Sequence, residues 1–260
     1  MKSYRTIMVA TATLLAAIFT GASADAQTTT PVQAKNVVLV HGAWADGSSW
    51  AEVIPYLQKA GLNVTAVQNP LSSLKDSAEA AQRVIDRQDG PTVLVGHSWS
   101  GTVVNQVGGD PKISALVYIA ARAPDADEDF VELSKKFPTG PVRAGVQNFD
   151  GYTRVSEDAF LKYFANGVPE KQAKVLYAVQ GDTAASIFAD RTTVAAWHTK
   201  PTFYAVAKQD KTIDPGLERF LAKRMNAKTI EVDAGHLAMV SHPREIASLI
   251  LEAAGRKALY

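Results

Sequence analysis

The sequence predicts a doubly wound α/β domain built on a mostly parallel six-stranded sheet, with a small helical lid inserted above it. Three observations carry that expectation. Six short runs rich in Val, Ile and Leu recur along the chain: Asn36 to Val40, Asn63 to Val67, Thr92 to Val95, Ala115 to Ile119, Thr202 to Val206 and Thr229 to Val232. Each is apolar almost without a break, as strands covered on both faces are. Helical patterns separate them, and such alternation implies right-handed crossovers with helices on both sides of the sheet. The alternation lapses between Arg122 and roughly Trp197, where a lid over the strand ends is expected.

The N-terminus reads as a targeting segment. Lys2 and Arg5 precede an apolar stretch from Ile7 to Phe19, and small residues ending Ala24-Asp25-Ala26 follow. This is the layout of a secretory signal peptide cleaved after Ala26. The mature chain is then expected to begin at Gln27 and to be exported, to the periplasm or out of the cell. The apolar run is short of the roughly 20 residues that a span requires, so no stable membrane span is expected. Residues 27–260 suffice for one sizeable domain with an insertion. The chain has no cysteine, which excludes disulfides and thiolate metal sites and leaves stability to the core. Its net charge is +1 with both signs interspersed, which argues against nucleic acid or a charged membrane as partner. A small, largely neutral molecule fits better.

The helices carry end signals. Ser49 and Glu52 have capping-box spacing, and Trp50, Val53, Ile54 and Leu57 share a helical face that Gly61 terminates. Pro55 is expected to kink the early part of that helix. Asp76 and Glu79 repeat the capping spacing before Ala81, Val84 and Ile85. A last helix begins near Pro243, suited to a first turn, and buries Ile246, Leu249, Ile250 and Ala253. The lid segment is rich in aromatics, most of them expected to pack within the lid.

The chemistry centres on Val93-Leu94-Val95-Gly96-His97-Ser98-Trp99-Ser100-Gly101, a buried strand running into a small-residue turn and then a helix. In that context the turn presents a nucleophilic serine. Gly96 and Ser98 match G-x-S-x-G, but Ser100 replaces the second glycine. The segment lacks the endings of phosphate-binding and dinucleotide-binding loops. A serine hydroxyl needs a base to take its proton. Of five histidines, His236 follows the last strand, where a loop can return its imidazole over Ser98. His242 adjoins a helix start, His97 is expected to point away from Ser98, His198 precedes the return from the lid, and His41 shapes a loop. An acid must hold the base. Asp210 closes the fifth strand run, and Ser98, Asp210, His236 is the order expected of a nucleophile elbow. Asp214 lies further into the loop, Asp233 is close to His236 in sequence, and Asp125 and Asp127 are alternatives from the fourth strand. The oxyanion donors are expected to be the backbone N–H groups of Trp99 and Ala43, the latter beside Gly42, which lets the chain turn sharply.

Val38-Leu39-Val40-His41-Gly42-Ala43-Trp44, Ser49-Trp50, the turn at Ser98, Asp210 and Gly235-His236 together resemble the α/β-hydrolase superfamily. Within it they are most similar to small bacterial hydrolases related to plant methyl esterases and hydroxynitrile lyases. The resemblance covers nearly all of the mature chain and is weakest in the lid. It implies a six-stranded parallel core, a lid after the fourth strand, and neither metal nor organic cofactor. Position by position it implies Ser98 as nucleophile, Asp210 as acid, His236 as base, and Ala43 and Trp99 as oxyanion donors, with Ser100 a departure from the usual glycine.

The expected activity is hydrolysis of small, mostly apolar carboxylic esters or lactones, with Trp44 and Trp99 as apolar pocket walls and Trp44 touching substrate. The same three residues can serve a lyase that cleaves cyanohydrins, which needs a cation near the leaving cyanide; Lys208 and Lys211 flank Asp210. A non-catalytic ligand-binding module or a cofactor-free oxidase is a third expectation for this fold. No residue pattern specifies an oligomer.

Overall fold

The computed structural model describes residues 32–259, so the signal-peptide expectation for residues 1–26 lies outside the described residues. Strands β1 (Asn36–Val40), β2 (Asn63–Val67), β3 (Thr92–His97) and β4 (Ile113–Ile119) are followed, beyond the insertion, by β8 (Thr202–Ala207) and β9 (Lys228–Val232). They form one sheet in the order β2-β1-β3-β4-β8-β9, and every neighbouring pair is parallel. The chain starts at β1, steps out to β2, and returns to β3 on the other side of β1. The strand order thus reverses between β1 and β3, and a crevice opens outside their carboxyl ends. Val40 lies in register with Gly96, so the loop after β1 meets the turn after β3.

The expected bounds of β1 and β2 match the structure, and the others extend by one or two residues. The central strands β1 and β3 are buried along their whole length. The outer strands depart from the expectation of burial on both faces: β2 and β9 are mostly exposed or half-buried, because each has a neighbour on one side only.

Helices α1 (Ile54–Lys59) and α9 (Pro243–Ala253) pack together, with α9 also against β3, β4 and β8. Helices α2 (Leu74–Asp86) and α3 (Gly101–Val107) pack on each other and on β1 to β3. The last helix begins at Pro243 and buries the four residues expected of it. The capping expectations shift. Ser49 and Glu52 form no capping box; Asp46 caps a 3-10 turn over Gly47–Trp50 by accepting from the Ser48 N–H. Helix α1 starts only at Ile54, which places Pro55 in its first turn, where its missing N–H costs nothing and no kink arises. In α2 the cap is Ser73, whose hydroxyl accepts from the Asp76 N–H at 3.0 Å. The helix therefore begins before Asp76 rather than at it.

The insertion contains α4 (Phe130–Ser134), β5 (Val146–Phe149), β6 (Tyr152–Val155), α5 (Glu157–Ala159), α6 (Glu170–Ala178) and β7 (Thr183–Ala184). It is thus not purely helical: β5, β6 and β7 form a small antiparallel sheet. Beyond it, α7 (Pro215–Arg224) packs on β8 and is capped by Asp214, which accepts from Gly216 and Leu217 N–H. Short α8 (Ala238–Ser241) leads into α9.

Removing the α2 cap should cost about 1 kcal/mol. Ser73→Ala is expected to lower the urea midpoint by that equivalent, with an unchanged slope.

Candidate active site

The site is assembled at the carboxyl edge of the sheet. Ser98 follows β3 directly and has φ of 56°, a left-handed backbone that a non-glycine residue adopts only where its surroundings enforce it. Two close approaches enforce it here. Gly96 packs against α3, where a Cβ would stand 2.6 Å from Val104 Cγ2. Gly42 packs against the turn itself, where a Cβ would stand 2.6 Å from Ser98 Cβ and 2.8 Å from the His97 carbonyl. Gly42 is needed for that approach rather than for a sharp turn, since its own φ is not positive.

The structure brings Ser98, His236 and Asp210 together. His236 Nε2 lies 2.8 Å from Ser98 Oγ, and His236 Nδ1 lies 2.5 Å from Asp210 Oδ2. The other Asp210 oxygen accepts the backbone N–H groups of Thr212 at 2.6 Å and Ile213 at 2.9 Å. Those two bonds pin the carboxylate, and the carboxylate requires that Nδ1 carry the ring proton, so Nε2 faces Ser98 as an acceptor. The side chains of His236 and Asp210 are fully buried, while Ser98 keeps 6% exposure.

The other candidates have different work. Asp214 caps α7. Asp125 pairs with His198 at 3.0 Å on the surface. Asp233 pairs with Lys208 at 3.6 Å and accepts from Gln209, and the Asp127 carbonyl accepts from Arg191. His242 sits before α9 with Nδ1 on Ser241 Oγ. His41 is closer to the chemistry than a generic loop residue. Its Nε2 accepts the Asn69 N–H at 2.9 Å, so its Nδ1 must carry the proton and donate to Gly42 O at 3.0 Å. Burial lowers its basicity, keeping it neutral in that role. His97 packs its ring 4.6 Å from the His236 ring and donates from Nε2 to the His236 carbonyl at 3.0 Å. Burial pushes its pKa well below the ordinary imidazole value, so no second positive charge competes beside His236.

Ser100 answers the departure from glycine. Its hydroxyl accepts the His97 N–H at 2.9 Å and lies 2.7 Å from Val40 O and 2.8 Å from His97 O. It ties the end of β1 to the turn after β3. In the loop after β1, the Trp44 N–H is committed to Thr183 Oγ1 at 3.0 Å, whereas the Ala43 N–H has no partner among the described residues. Trp99 occupies the first turn leading into α3, where backbone N–H groups are free of helical partners.

Trp44 is held more tightly than a simple pocket wall. Its Nε1–H donates to Thr153 Oγ1 at 3.0 Å, and its ring lies against Phe164 and Phe188. Further bonds strap the insertion down: Trp99 Nε1–H to Ile187 O at 2.9 Å, Arg122 Nη1 to Phe188 O at 3.1 Å, and Ala184 N–H to Leu71 O at 2.9 Å. The guanidinium of Arg122 also lies over the rings of Phe130 and Phe188, and burial lowers its pKa to about 10. Phe164 also packs on His236, with ring centroids 5.1 Å apart. A cavity of about 10 Å³ lies between Trp44, Phe160, Phe164, Leu176 and Leu237, room for about one water. Among the described residues no group of three His, Asp or Glu side chains is arranged to hold a metal, and no helix is long and apolar enough to cross a membrane.

Comparison with known proteins places this geometry in context. Residues 37–249 match the model of the alpha/beta hydrolase family. The chain is 26% identical to putative methylesterase 19 of Arabidopsis thaliana, over 87% of this chain and all of that protein. It is 25% identical to alpha-hydroxynitrile lyase of the same plant, over 80% of this chain and 93% of that one. The crystal structure of polyneuridine aldehyde esterase superposes with a TM-score of 0.73 at 20% identity, covering 85% of this chain and 99% of that one, which shows the shared fold.

Ser100→Ala removes the partner of a buried His97 N–H, and such an orphan costs about 1–3 kcal/mol. Denaturant unfolding of the variant is expected to show a loss in that range.

Proposed function

The chain belongs to the alpha/beta hydrolase family, and on that premise we propose that it hydrolyses small, mostly apolar carboxylic esters or lactones through an acyl-enzyme on Ser98. The observation that carries this reading is the unbroken run of hydrogen bonds from Ser98 Oγ through His236 to Asp210. Relatives named as esterases support the reaction class. The aromatic surroundings of Trp44 support an apolar substrate.

In this mechanism the substrate carbonyl carbon meets Ser98 Oγ as His236 Nε2 removes the hydroxyl proton. The charge that develops on the carbonyl oxygen is received by the N–H groups of Ala43 and Trp99. Donors fixed in advance by the fold lose nothing to reorganisation as the charge forms. Asp210, held by Thr212 and Ile213, stabilises the imidazolium without taking its proton. His236 then delivers the proton to the departing alcohol oxygen and the acyl-enzyme remains. Water enters, loses a proton to His236 and attacks the acyl carbon; the proton returns to Ser98 Oγ as the acid leaves.

Cyanohydrin cleavage would use the same residues, but Lys208 is turned to Asp233 at the surface and Lys211 is exposed, so neither flanking lysine supports a leaving cyanide. We also propose that the protein is exported, on the strength of the pattern ending at Ala26.

Ser98→Ala is expected to lower kcat for chromogenic acyl esters by roughly a thousandfold or more, with an unchanged melting temperature; full retained activity would reject Ser98 as nucleophile. Cyanide release from cyanohydrins, assayed in parallel, should stay at background. Amino-terminal sequencing of protein recovered outside the cytoplasm should read from Gln27.

A further inference from the structure

Glu218 sits on α7 behind the edge of the site and is completely buried. A carboxylate so placed is costly unless it is paired with a cation or fully hydrogen-bonded. Glu218 has neither arrangement. Its Oε2 accepts the Ala207 N–H at 2.9 Å. Its Oε1 receives no donor among the described residues. The neighbouring cation on the helix, Arg219, is turned outward to Glu231 on β9, with both contacts at 2.8 Å. The turn that Glu218 holds is the one that carries Asp210: the Asp210 N–H donates to the carbonyl of the same Ala207 at 3.1 Å, and the Asp210 carboxylate is the neighbouring charge that acts on Glu218.

Two carboxyl groups in contact and out of water cannot both be ionised, and they share a proton. The donors decide where it resides. Asp210 already accepts the Thr212 and Ile213 N–H groups and the His236 ring N–H. Glu218 accepts a single backbone N–H. The structure assigns Glu218 as a positioning residue: a neutral carboxylic acid whose hydroxyl donates to Asp210 and extends the chain to Ser98–His236–Asp210–Glu218. This assignment rests on the proposed roles of the first three residues. It gives Asp210 a fourth donor beside the Thr212, Ile213 and His236 N–H groups, which holds the carboxylate on the imidazole.

The other ionisable groups around Glu218 agree with a neutral acid. Burial, first, and then the adjacent Asp210 carboxylate push its carboxyl well above the ordinary carboxylate range, against a smaller opposing influence of Arg219. Tyr204 on β8 is itself kept neutral by burial. Asp214, one turn earlier, spends its carboxylate on the α7 cap.

A group whose folded-state pKa is raised contributes stability that is complete below its unfolded value, about 4.3 for Glu. That stability fades as pH rises toward the folded value. Glu218→Gln keeps both hydrogen bonds, an N–H toward Asp210 and an oxygen toward Ala207, and has no proton to lose. Melting temperatures of the two full-length proteins, measured from about pH 5 to about pH 8, should therefore diverge. The variant should gain on the wild type by about 3 °C for each pH unit. A difference that stays flat across that range means Glu218 ionises normally and overturns the assignment. In ester hydrolysis, Glu218→Gln should keep kcat within about threefold, whereas Glu218→Leu should lower kcat roughly tenfold at an unchanged KM. A Leu variant that folds with undiminished kcat overturns the positioning role. Should the wild type itself hydrolyse no ester, the reading of Ser98 fails while the melting comparison still decides where the proton lies.

Discussion

The whole arrangement depends on one short chain of hydrogen bonds, from Ser98 Oγ to His236 and from His236 to Asp210. Each link has little tolerance, because a hydrogen bond weakens steeply beyond its normal length and angle. Three residues far apart in the sequence can meet that tolerance only if rigid elements deliver them. The parallel sheet does so by ending β3, β8 and β9 at the same edge, with each side chain within a few residues of its strand. The reversal of strand order between β1 and β3 then leaves room above that edge, and the loop after β1 closes over the serine turn.

Closing that loop is where backbone chemistry matters most. Gly42 must have no side chain, since a Cβ would overlap Ser98. The left-handed backbone at Ser98 is held by packing on both sides. Ser100 uses its hydroxyl as a clasp between β1 and the turn, so a residue larger than glycine fits because it replaces space with three polar contacts. The histidines nearby serve the same end. His41 orients the Gly42 carbonyl and His97 orients the loop carrying His236. Both are kept neutral by burial, so they position the site without adding charge to it.

Much of this was legible in the sequence because it rests on local pattern. Continuous apolar runs marked the central strands, and Ser98, Asp210 and His236 were recognisable from a strand end, a chain order and a turn motif. What the sequence does not show rests on long-range geometry or on competing local signals. Ser73 and Asp76 both offer a helix cap, and only the backbone of Ser73 is extended as a cap must be. The lid strands are two to four residues long, too short for alternation to show. Trp44 finds its hydrogen-bond partners at Thr153 and Thr183, over a hundred residues away, with no local mark at either end. Glu218 lies in a charged helical stretch and resembles a solvated residue until α7 is seen to press it against Asp210.

The lid is the counterweight to this rigidity. Its small sheet is fastened to Trp44 and Leu71 by hydrogen bonds, Ile187 just beyond it accepts from Trp99, and Arg122 grips Phe188. These contacts help keep His236 fully buried, which strengthens the electrostatic interactions around it. A nucleophilic Ser98 becomes covalently acylated during turnover. Rapid acid quenching during turnover of a chromogenic ester, followed by mass spectrometry of proteolytic peptides, tests it directly. One acyl group is expected on the peptide containing Ser98; turnover with that peptide unmodified and the acyl group on another residue would rule Ser98 out as the nucleophile.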